Sequence, residues 1–180
     1  MRVALTGVPG TGKTAIAAAL AKKGFEVISL NEIVERKGLW SGKDEFGSRI
    51  VDLRKLELET NRIIRKKRNC IVEGHLACEM RLLCDLAVVC RTKPEVLERR
   101  LGRRRYPKRK LRENLMCELI DYCTILSLGN YEMVYEIETS EGVRKSVGNV
   151  MRIISGKGER LRAGWVSWKR QLIKAAQRAE

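Results

Sequence analysis

The fold of this chain is decided by the stretch Gly7–Thr14, whose sequence is GVPGTGKT. It matches the pattern G-x-x-x-x-G-K-[ST] in full, with the apolar run RVALT before it and an alanine-rich run after it. This pattern is typical of a loop between a buried strand and a helix, in which backbone N–H groups converge on phosphate oxygens. Glycine at Gly7, Gly10 and Gly12 would keep side chains out of that space. The stretch therefore predicts a phosphate site.

Two side chains of this stretch are expected to take part in binding. The ammonium group of Lys13 can reach the β- and γ-phosphates of a nucleoside triphosphate, and the hydroxyl of Thr14 can join the coordination shell of Mg²⁺. A glycine-rich turn with a chance lysine is the alternative. The strand pattern before the stretch and the helix pattern after it argue against that alternative.

The rest of the chain alternates between strand and helix patterns. Five short runs predict strands: RVALT, FEVISL, CIVEGH, LAVVC and MVYEIET. Helical patterns separate them, so we expect an α/β fold in which a five-stranded parallel sheet carries helices on both faces. An apolar stripe at helical spacing lies between the last two strands and comprises Leu111, Leu115, Leu119, Tyr122 and Leu126.

The segment after the second strand contains several local signals. Asn31 is the expected N-cap of a short helix that stops at Gly38, and Asp52 is the expected cap of the next helix. Between them Leu39–Ile50 is polar and contains glycine, which predicts a mobile loop or a small insertion.

The third predicted strand, CIVEGH, ends in polar residues. Strand tips of parallel sheets face the ligand crevice, so Glu73 is a candidate to hold a magnesium-bound water or to orient a nucleophile, with His75 beside it. There is a structural alternative for each residue. Glu73 could form an ion pair with a nearby lysine, and His75 could be a loop histidine whose hydrogen bonds are all made within the protein. Asp85 lies at the opposite end of its strand and is discounted.

Composition sets the class of protein. The 180 residues fit one globular domain, and 44% are apolar. No apolar run approaches a membrane span, and we expect an intracellular, cytoplasmic protein with no membrane partner. The six cysteines form no C-x-x-C pair and are expected to be reduced and buried. The net charge of +15 favours polyanionic partners such as nucleotides or RNA.

The most basic stretch, RRRYPKRKLRENL, covers Arg103–Leu115. It has two interpretations, an RNA-binding patch and an arginine-rich lid over phosphates. A proline at position 107 separates two helical patterns, and leucines lie on the inner side of both, which favours a hinged lid. Contact with RNA or a protein partner stays open for Arg105 and Arg109.

Four motifs in this order, TGVPGTGKT, VEGHLA, VVCRTKPEVLERRL and RRRYPKRKLRENLMCELID, resemble the atypical adenylate kinases. This branch includes the nuclear adenylate kinase isoenzyme and ATPases of small ribosomal subunit assembly. The resemblance covers residues 1–155 and implies a P-loop nucleoside monophosphate kinase domain. The basic remainder, 156–180, is expected to be a helical extension that docks on the core, binds RNA or lies on a membrane surface.

The resemblance also implies substrates and site residues. It places ATP contacts on six consecutive residues: Gly10, Thr11, Gly12, Lys13, Thr14 and Ala15. It places a mobile AMP-side region in residues 28–51, where Arg36 and Arg49 are the candidates to bind AMP.

The implied lid covers residues 100–110, in which Arg104 precedes the aromatic residue and would contact ATP, with Arg100 as a further candidate. Relatives usually carry aspartate where this chain has Glu73, so its carboxylate would lie about one bond further out. The expected catalytic residues are Lys13, Arg104, Glu73 and His75. The expected Mg²⁺ ligands are Thr14 and Glu73.

These features favour one function and leave two others open. The first is transfer of the γ-phosphoryl group of Mg-ATP to AMP to give two ADP, with ATPase activity. The second is an ATP-hydrolysing assembly factor for the small ribosomal subunit, with a ribosomal protein and rRNA as partners. The third is an RNA-binding module without nucleotide affinity.

Overall fold

The structure is a computed structural model of the chain, and it describes residues 1–45, 47, 49–103 and 107–177. Seven strands form within these residues: β1 (Arg2–Thr6), β2 (Glu26–Ser29), β3 (Trp40–Lys43), β4 (Arg49–Val51), β5 (Cys70–Glu73), β6 (Leu86–Arg91) and β7 (Val134–Glu138). Eight α-helices form within them: α1 (Lys13–Ala21), α2 (Leu30–Lys37), α3 (Leu53–Ile64), α4 (Pro94–Gly102), α5 (Lys108–Leu119), α6 (Tyr122–Asn130), α7 (Val143–Ile154) and α8 (Lys169–Gln177). Short 3₁₀ turns cover His75–Glu79 and Glu159–Leu161.

The main sheet has the strand order β2-β5-β1-β6-β7, and every neighbouring pair is parallel. The carboxyl ends of all five strands therefore meet at one edge. The register places Leu5 of β1 opposite Glu73 of β5, so the loop after β1 and the tip of β5 are neighbours at that edge. The predicted five-stranded parallel sheet is confirmed.

Helices cover both faces of this sheet, as predicted. Because successive strand residues point to opposite faces, Val3 and Leu5 pack in one core layer with α1 and α7, while Ala4 packs in the other. That second layer also receives apolar side chains from α2, α3, α4 and α6. Each strand of the centre is buried on both sides, which explains the near-continuous apolar runs in the sequence.

Two local predictions need correction, and one choice between alternatives is decided. The N-cap of α2 is Ser29, not Asn31: the Ser29 hydroxyl accepts the Glu32 N–H, because β2 runs directly into the helix. Of the two alternatives for Leu39–Ile50, the structure shows the small insertion, since β3 and β4 pair as an antiparallel hairpin. The leucine stripe is split between α5 and α6, because Asp121 takes a left-handed backbone conformation with φ 58°.

Other local predictions are confirmed. The Asp52 carboxylate accepts the Lys55 N–H at the start of α3, and Gly38 ends α2 with φ 61°. All six cysteines are free thiols, of which four are buried and two, Cys84 and Cys117, are half-buried. Asp85 lies at the amino end of β6 and forms an ion pair with Arg2, far from the strand tips.

The segment after α7 returns to the core. The Ala163 N–H donates to the Val134 carbonyl oxygen, and the side chain of Trp168 is buried against Leu119. Docking, one of the three alternatives for the extension, is thus what the structure shows up to Trp168. Within the described part of the chain, no helix combines the length and the apolar character that crossing a membrane requires.

Candidate active site

The loop after β1 has the backbone that the glycine pattern predicts. Gly7, Gly10 and Gly12 have φ values of 132°, 95° and 92°, a region that residues with side chains rarely adopt. A Cβ at Gly7 would lie 2.4 Å from the Cys90 carbonyl oxygen, and one at Gly10 would lie 2.8 Å from Leu97 Cδ1. Glycine is therefore required both by conformation and by space. Helix α1 begins directly after the loop, so its free N–H groups point into the loop.

The ammonium group of Lys13 is held inside this loop. Its Nζ donates to the carbonyl oxygens of Gly7 at 2.7 Å and Val8 at 3.0 Å, and the side chain is buried. Burial lowers the pKa of Lys13, because water no longer stabilises the ammonium group. The ammonium group is thus placed at the phosphate loop, where the sequence predicts that it meets phosphate.

The tip of β5 meets the loop through one hydrogen bond. The Thr14 hydroxyl donates to Glu73 Oε1 at 3.1 Å, and the Glu73 side chain is buried. These two oxygen groups fit Mg²⁺, which favours oxygen ligands and is commonly held by one or two carboxylates together with substrate phosphates. Among the described residues, no cluster of three or more histidine, cysteine or carboxylate side chains could bind a metal without such phosphates.

His75 lies two residues beyond Glu73, at the start of the 3₁₀ turn, and faces the same cleft. Burial, together with the positive charges of Lys13 and Lys110, lowers the pKa of its imidazole to about 4. The ring is therefore neutral at neutral pH. Gly74, between the two, has no room for a side chain, because a Cβ there would lie 2.8 Å from Leu30.

One cleft connects this site with the hairpin. It has a volume of about 1310 Å³ and is lined by the phosphate loop, α2, the β3–β4 hairpin, the 3₁₀ turn, α5 and α6. Its basic wall on the hairpin side carries Lys43 and Arg49, and α5 adds Lys110. The space is large enough for more than one small ligand at a time, since ligand pockets commonly measure about 300–1,000 Å³.

The two candidate arginines for AMP lie in different places. Arg49 lines the cleft, where its guanidinium stacks 4.7 Å above the centre of the Trp40 ring and pairs with Glu35. Arg36 does not line the cleft and instead borders a separate surface depression on α2 and α3, together with Arg62. The structure thus brings only one of the pair to the phosphate loop's cleft.

The arginines predicted to belong to the lid also lie in different places. Arg100 reaches the phosphate loop from outside the cleft: its guanidinium donates to the Thr139 carbonyl oxygen at 2.9 Å and to that of Gly10 at 3.5 Å. Arg109 is exposed and forms ion pairs with Glu45 of the hairpin at 2.8 Å and with Glu113 at 3.3 Å. Arg104 and Arg105, on which other predictions fall, lie outside the described residues.

Sequence reasoning missed several residues of this site. Lys43 and Lys110 line the cleft. The residues around a lysine in the sequence do not show whether its side chain lines a cleft or points into solvent, so neither residue could be identified in advance. Thr139, at the end of β7, donates its hydroxyl to the Thr11 carbonyl oxygen at 2.8 Å. That contact spans most of the chain, so no local pattern reports it.

Comparison with known proteins gives the same class of fold. A family model described as the AAA domain matches residues 3–121. A protein of Methanocaldococcus jannaschii named "Putative adenylate kinase" is 37% identical over an alignment of 171 residues that covers 93% of this chain and 93% of that protein. A protein of Pyrococcus abyssi with the same name is 34% identical over 169 residues, covering 93% of this chain and 91% of the relative.

Solved structures extend the likeness of fold. Shikimate kinase from Bacteroides thetaiotaomicron superimposes with a TM-score of 0.59 at 21% identity, over 86% of this chain and 98% of that one. Deoxyadenosine kinase from M. mycoides superimposes with a TM-score of 0.56 at 14% identity, over 87% of this chain and 99% of that one. Both are similar in fold, and the α/β P-loop fold predicted from the sequence is confirmed.

Proposed function

The chain belongs to the AAA domain family and to the family of the archaeal relatives named "Putative adenylate kinase", and we propose that it transfers the γ-phosphoryl group of Mg-ATP to AMP, giving two ADP. In this proposal the phosphate loop binds ATP and residues 28–51 bind the acceptor. Residues 100–110 form the lid that closes over both.

One observation carries the proposal: the phosphate loop and a second basic wall share a single cleft. Lys13 and the Thr14–Glu73 pair line this cleft from the phosphate loop and β5, and Lys43 and Arg49 line it from the hairpin. A nucleoside triphosphatase needs only the phosphate loop and its metal pair. Basic side chains on a second element of the same cleft support a reaction between two phosphate-bearing substrates.

The residues can carry out such a transfer without a strong base. The attacking phosphate of AMP is already an anion, so catalysis is mainly alignment and neutralisation of charge. Lys13 would stabilise negative charge on the β- and γ-phosphates, and Arg104 would do so from the lid. The neutral ring of His75 would act as a hydrogen-bonding group beside the phosphates and not as a cation.

Thr14 and Glu73 would hold Mg²⁺, which when bound neutralises phosphate charge and orients the β- and γ-oxygens. The rest of the site must exclude water, because water can replace AMP as the acceptor. A lid that closes only in part would therefore leave ATPase activity in the same site.

A product assay tests the proposal. Purified protein is incubated with Mg-ATP alone and then with each nucleoside monophosphate, and the products are separated. AMP should be converted to ADP, whereas the other monophosphates should give little of their own diphosphates. ADP and inorganic phosphate at the same rate with and without AMP would refute the kinase assignment. Lys13→Ala serves as the inactive control.

A second candidate is an ATP-hydrolysing assembly factor for the small ribosomal subunit, and the net charge of +15 is the observation that favours it. Such charge attracts RNA through release of condensed counterions, so binding must weaken steeply with salt. Pull-down of the protein at physiological salt should then recover rRNA or a small-subunit protein. Recovery of neither would refute this candidate and leave the kinase proposal untouched.

A further inference from the structure

A buried ion cluster lies directly behind the phosphate loop. Arg91, the last residue of β6, is only 2% exposed. Its Nε donates to Glu118 Oε1 at 2.8 Å and its Nη1 to Glu136 Oε1 at 2.6 Å, while Asp121 also pairs with it. The cluster thus joins the end of α5, the break before α6, and two strands of the sheet.

The C-terminal extension completes this cluster. We call Ala163–Trp168 the strap. The strap's backbone N–H groups at Gly164 and Val166 donate to Glu136 Oε2 at 2.9 and 3.1 Å. The indole Nε1–H of Trp168 donates to Glu118 Oε1 at 2.8 Å, and this side chain is buried.

Two threonines connect the cluster to the phosphate loop. The backbone N–H of Thr92 donates to Glu118 Oε1 at 3.1 Å, so that oxygen accepts from Arg91, Thr92 and Trp168 together. The Thr92 and Thr139 hydroxyls lie 2.7 Å apart, and Thr139 Oγ1 lies 2.8 Å from the Thr11 carbonyl oxygen. Thr92 and Thr139 are buried.

We call the hydrogen bonds that run from Glu118 through Thr92 and Thr139 to the Thr11 carbonyl oxygen the relay. The direction of its hydroxyl hydrogen bonds follows from the number of protons that each hydroxyl can donate. A hydroxyl has one proton to donate. If Thr139 gives its proton to the Thr11 carbonyl oxygen, it can still accept from Thr92, whose own proton then points towards it. The Arg91 carbonyl oxygen also lies within reach of Thr139 Oγ1, at 3.0 Å, but it does not need that proton. It already accepts the backbone N–H of Thr139 at 2.8 Å.

Holding the Thr11 carbonyl has a consequence for phosphate binding. The Thr11 carbonyl and the Gly12 N–H belong to one planar trans peptide unit, so they point in opposite directions. A hydrogen bond from Thr139 that fixes the carbonyl therefore also aims the Gly12 N–H. That N–H belongs to the phosphate loop, where its direction determines how well it can meet a phosphate oxygen.

We propose that Thr139, Glu118 and Trp168 are positioning residues for the phosphate loop, with the strap holding Glu118 in place and Thr139 holding the Thr11 peptide. This inference rests on the ATP site of the proposed function but not on the acceptor. Trp168 of the extension then acts on the nucleotide site, although none of the residues described between 156 and 177 lines the cleft.

Affinity for Mg-ATP or a non-hydrolysable analogue tests the inference. Thr139→Val removes the hydroxyl at nearly constant volume and should raise the Kd about threefold to tenfold, the worth of one buried hydrogen bond. Thr139→Ser restores a hydroxyl and should restore most of the affinity. A thermal-melting midpoint measured alongside separates this effect from loss of fold.

The strap is tested with a matched pair of tryptophans. Trp168→Phe removes the N–H that meets Glu118 and should raise the Kd about twofold to fivefold. Trp165→Phe removes an indole N–H that donates to the Glu136 backbone carbonyl oxygen and not to Glu118, so it should raise the Kd less than Trp168→Phe does. The double variant Trp168→Phe with Thr139→Val should bind no more weakly than Thr139→Val alone, because both act through one relay.

Either of two results would overturn the inference. One is a lower melting temperature in Thr139→Val and Trp168→Phe with an unchanged Kd, which would mean a purely structural role. The other is a double variant whose Kd increase equals the product of the single increases. A protein that binds Mg-ATP with the expected variant pattern but makes no ADP from AMP would refute the kinase proposal and leave this inference standing.

Discussion

Lowering the pH should reveal His75 in the stability of the protein, because it is the only histidine in the chain. Its pKa is about 4 in the folded protein and 6.5 in the unfolded chain, where water surrounds the ring. Between these values the unfolded chain takes up a proton that the folded protein does not, so stability present above pH 6.5 is lost as the pH falls towards 4. The gap corresponds to about 3 kcal/mol in total, or roughly 1.4 kcal/mol for each pH unit.

Urea unfolding measures this loss. Free energies of unfolding are compared at pH 7, 6 and 5 for the wild type and for His75→Gln, which keeps a hydrogen-bonding side chain that does not titrate. Carboxylates also titrate at the acid end, but they contribute to both proteins. The difference between the two curves therefore isolates the imidazole, and we expect it to change by about 2 kcal/mol between pH 7 and pH 5.

Proton NMR of the single imidazole gives an independent reading of the same quantity. The C2 proton should keep the chemical shift of a neutral ring at pH 5.5. Parallel stability curves for the two proteins, or an imidazole that titrates near pH 6.5, would refute the reasoning that burial, Lys13 and Lys110 keep this ring neutral.

The remaining predictions concern the phosphate loop, the metal pair and the lid. Lys13→Ala should lower kcat for phosphotransfer at least about a hundredfold in a coupled ADP assay, since it removes charge from the transferring phosphates; an active variant would contradict its role. Gly10→Ala should destabilise the protein by about 2 kcal/mol in urea unfolding, because the new Cβ meets leucines of α4 at a positive φ, and an unchanged midpoint would contradict this. Glu73→Gln should raise the Mg²⁺ concentration needed for half-maximal rate about tenfold while ATP affinity without metal stays the same; equal metal curves would exclude it from the metal site. Arg104→Ala should lower turnover far more than RNA affinity, whereas Arg109→Ala should do the reverse and change stability by less than about 1 kcal/mol, because its ion pairs are exposed; equal effects in both assays would contradict this division of the lid.

The parts of the fold that could be predicted are those specified by neighbouring residues. The stretch Gly7–Thr14 predicted the strand before it, the loop itself and the helix after it. This was possible because each of its glycines is required locally, by a positive φ or by lack of space for a side chain. The strand CIVEGH predicted where Glu73 lies, because parallel strands end at one edge.

The parts that escaped prediction depend on contacts distant in sequence or on competing local signals. Asn31 is a residue type that often serves as an N-cap. However, α2 already begins at Leu30, so Ser29 at the end of β2 is the N-cap and Asn31 lies inside the helix. The leucine stripe is interrupted at Asp121, which has a left-handed backbone and whose carboxylate pairs with Arg91, thirty residues away. No periodicity reports such a pair.

The same limit applies to the site. Arg36 and Arg49 look alike in sequence, yet α2 carries Arg36 away from the cleft while the hairpin carries Arg49 into it. The role of Trp168 was equally hidden, since its spacing fits a docked helix, an RNA platform or a membrane face. The burial of Trp168 against Leu119 and the Glu118 carboxylate that accepts its indole N–H separate these alternatives.

Transfer of isotope is the most direct test of AMP as the phosphoryl acceptor. The protein is given Mg-ATP labelled in the γ-phosphate together with unlabelled AMP, and the labelled products are separated. We expect label in the β-phosphate of ADP, with one AMP consumed for each ATP, and loss of this product in Lys13→Ala. Label found only in inorganic phosphate, with AMP left intact, would contradict it.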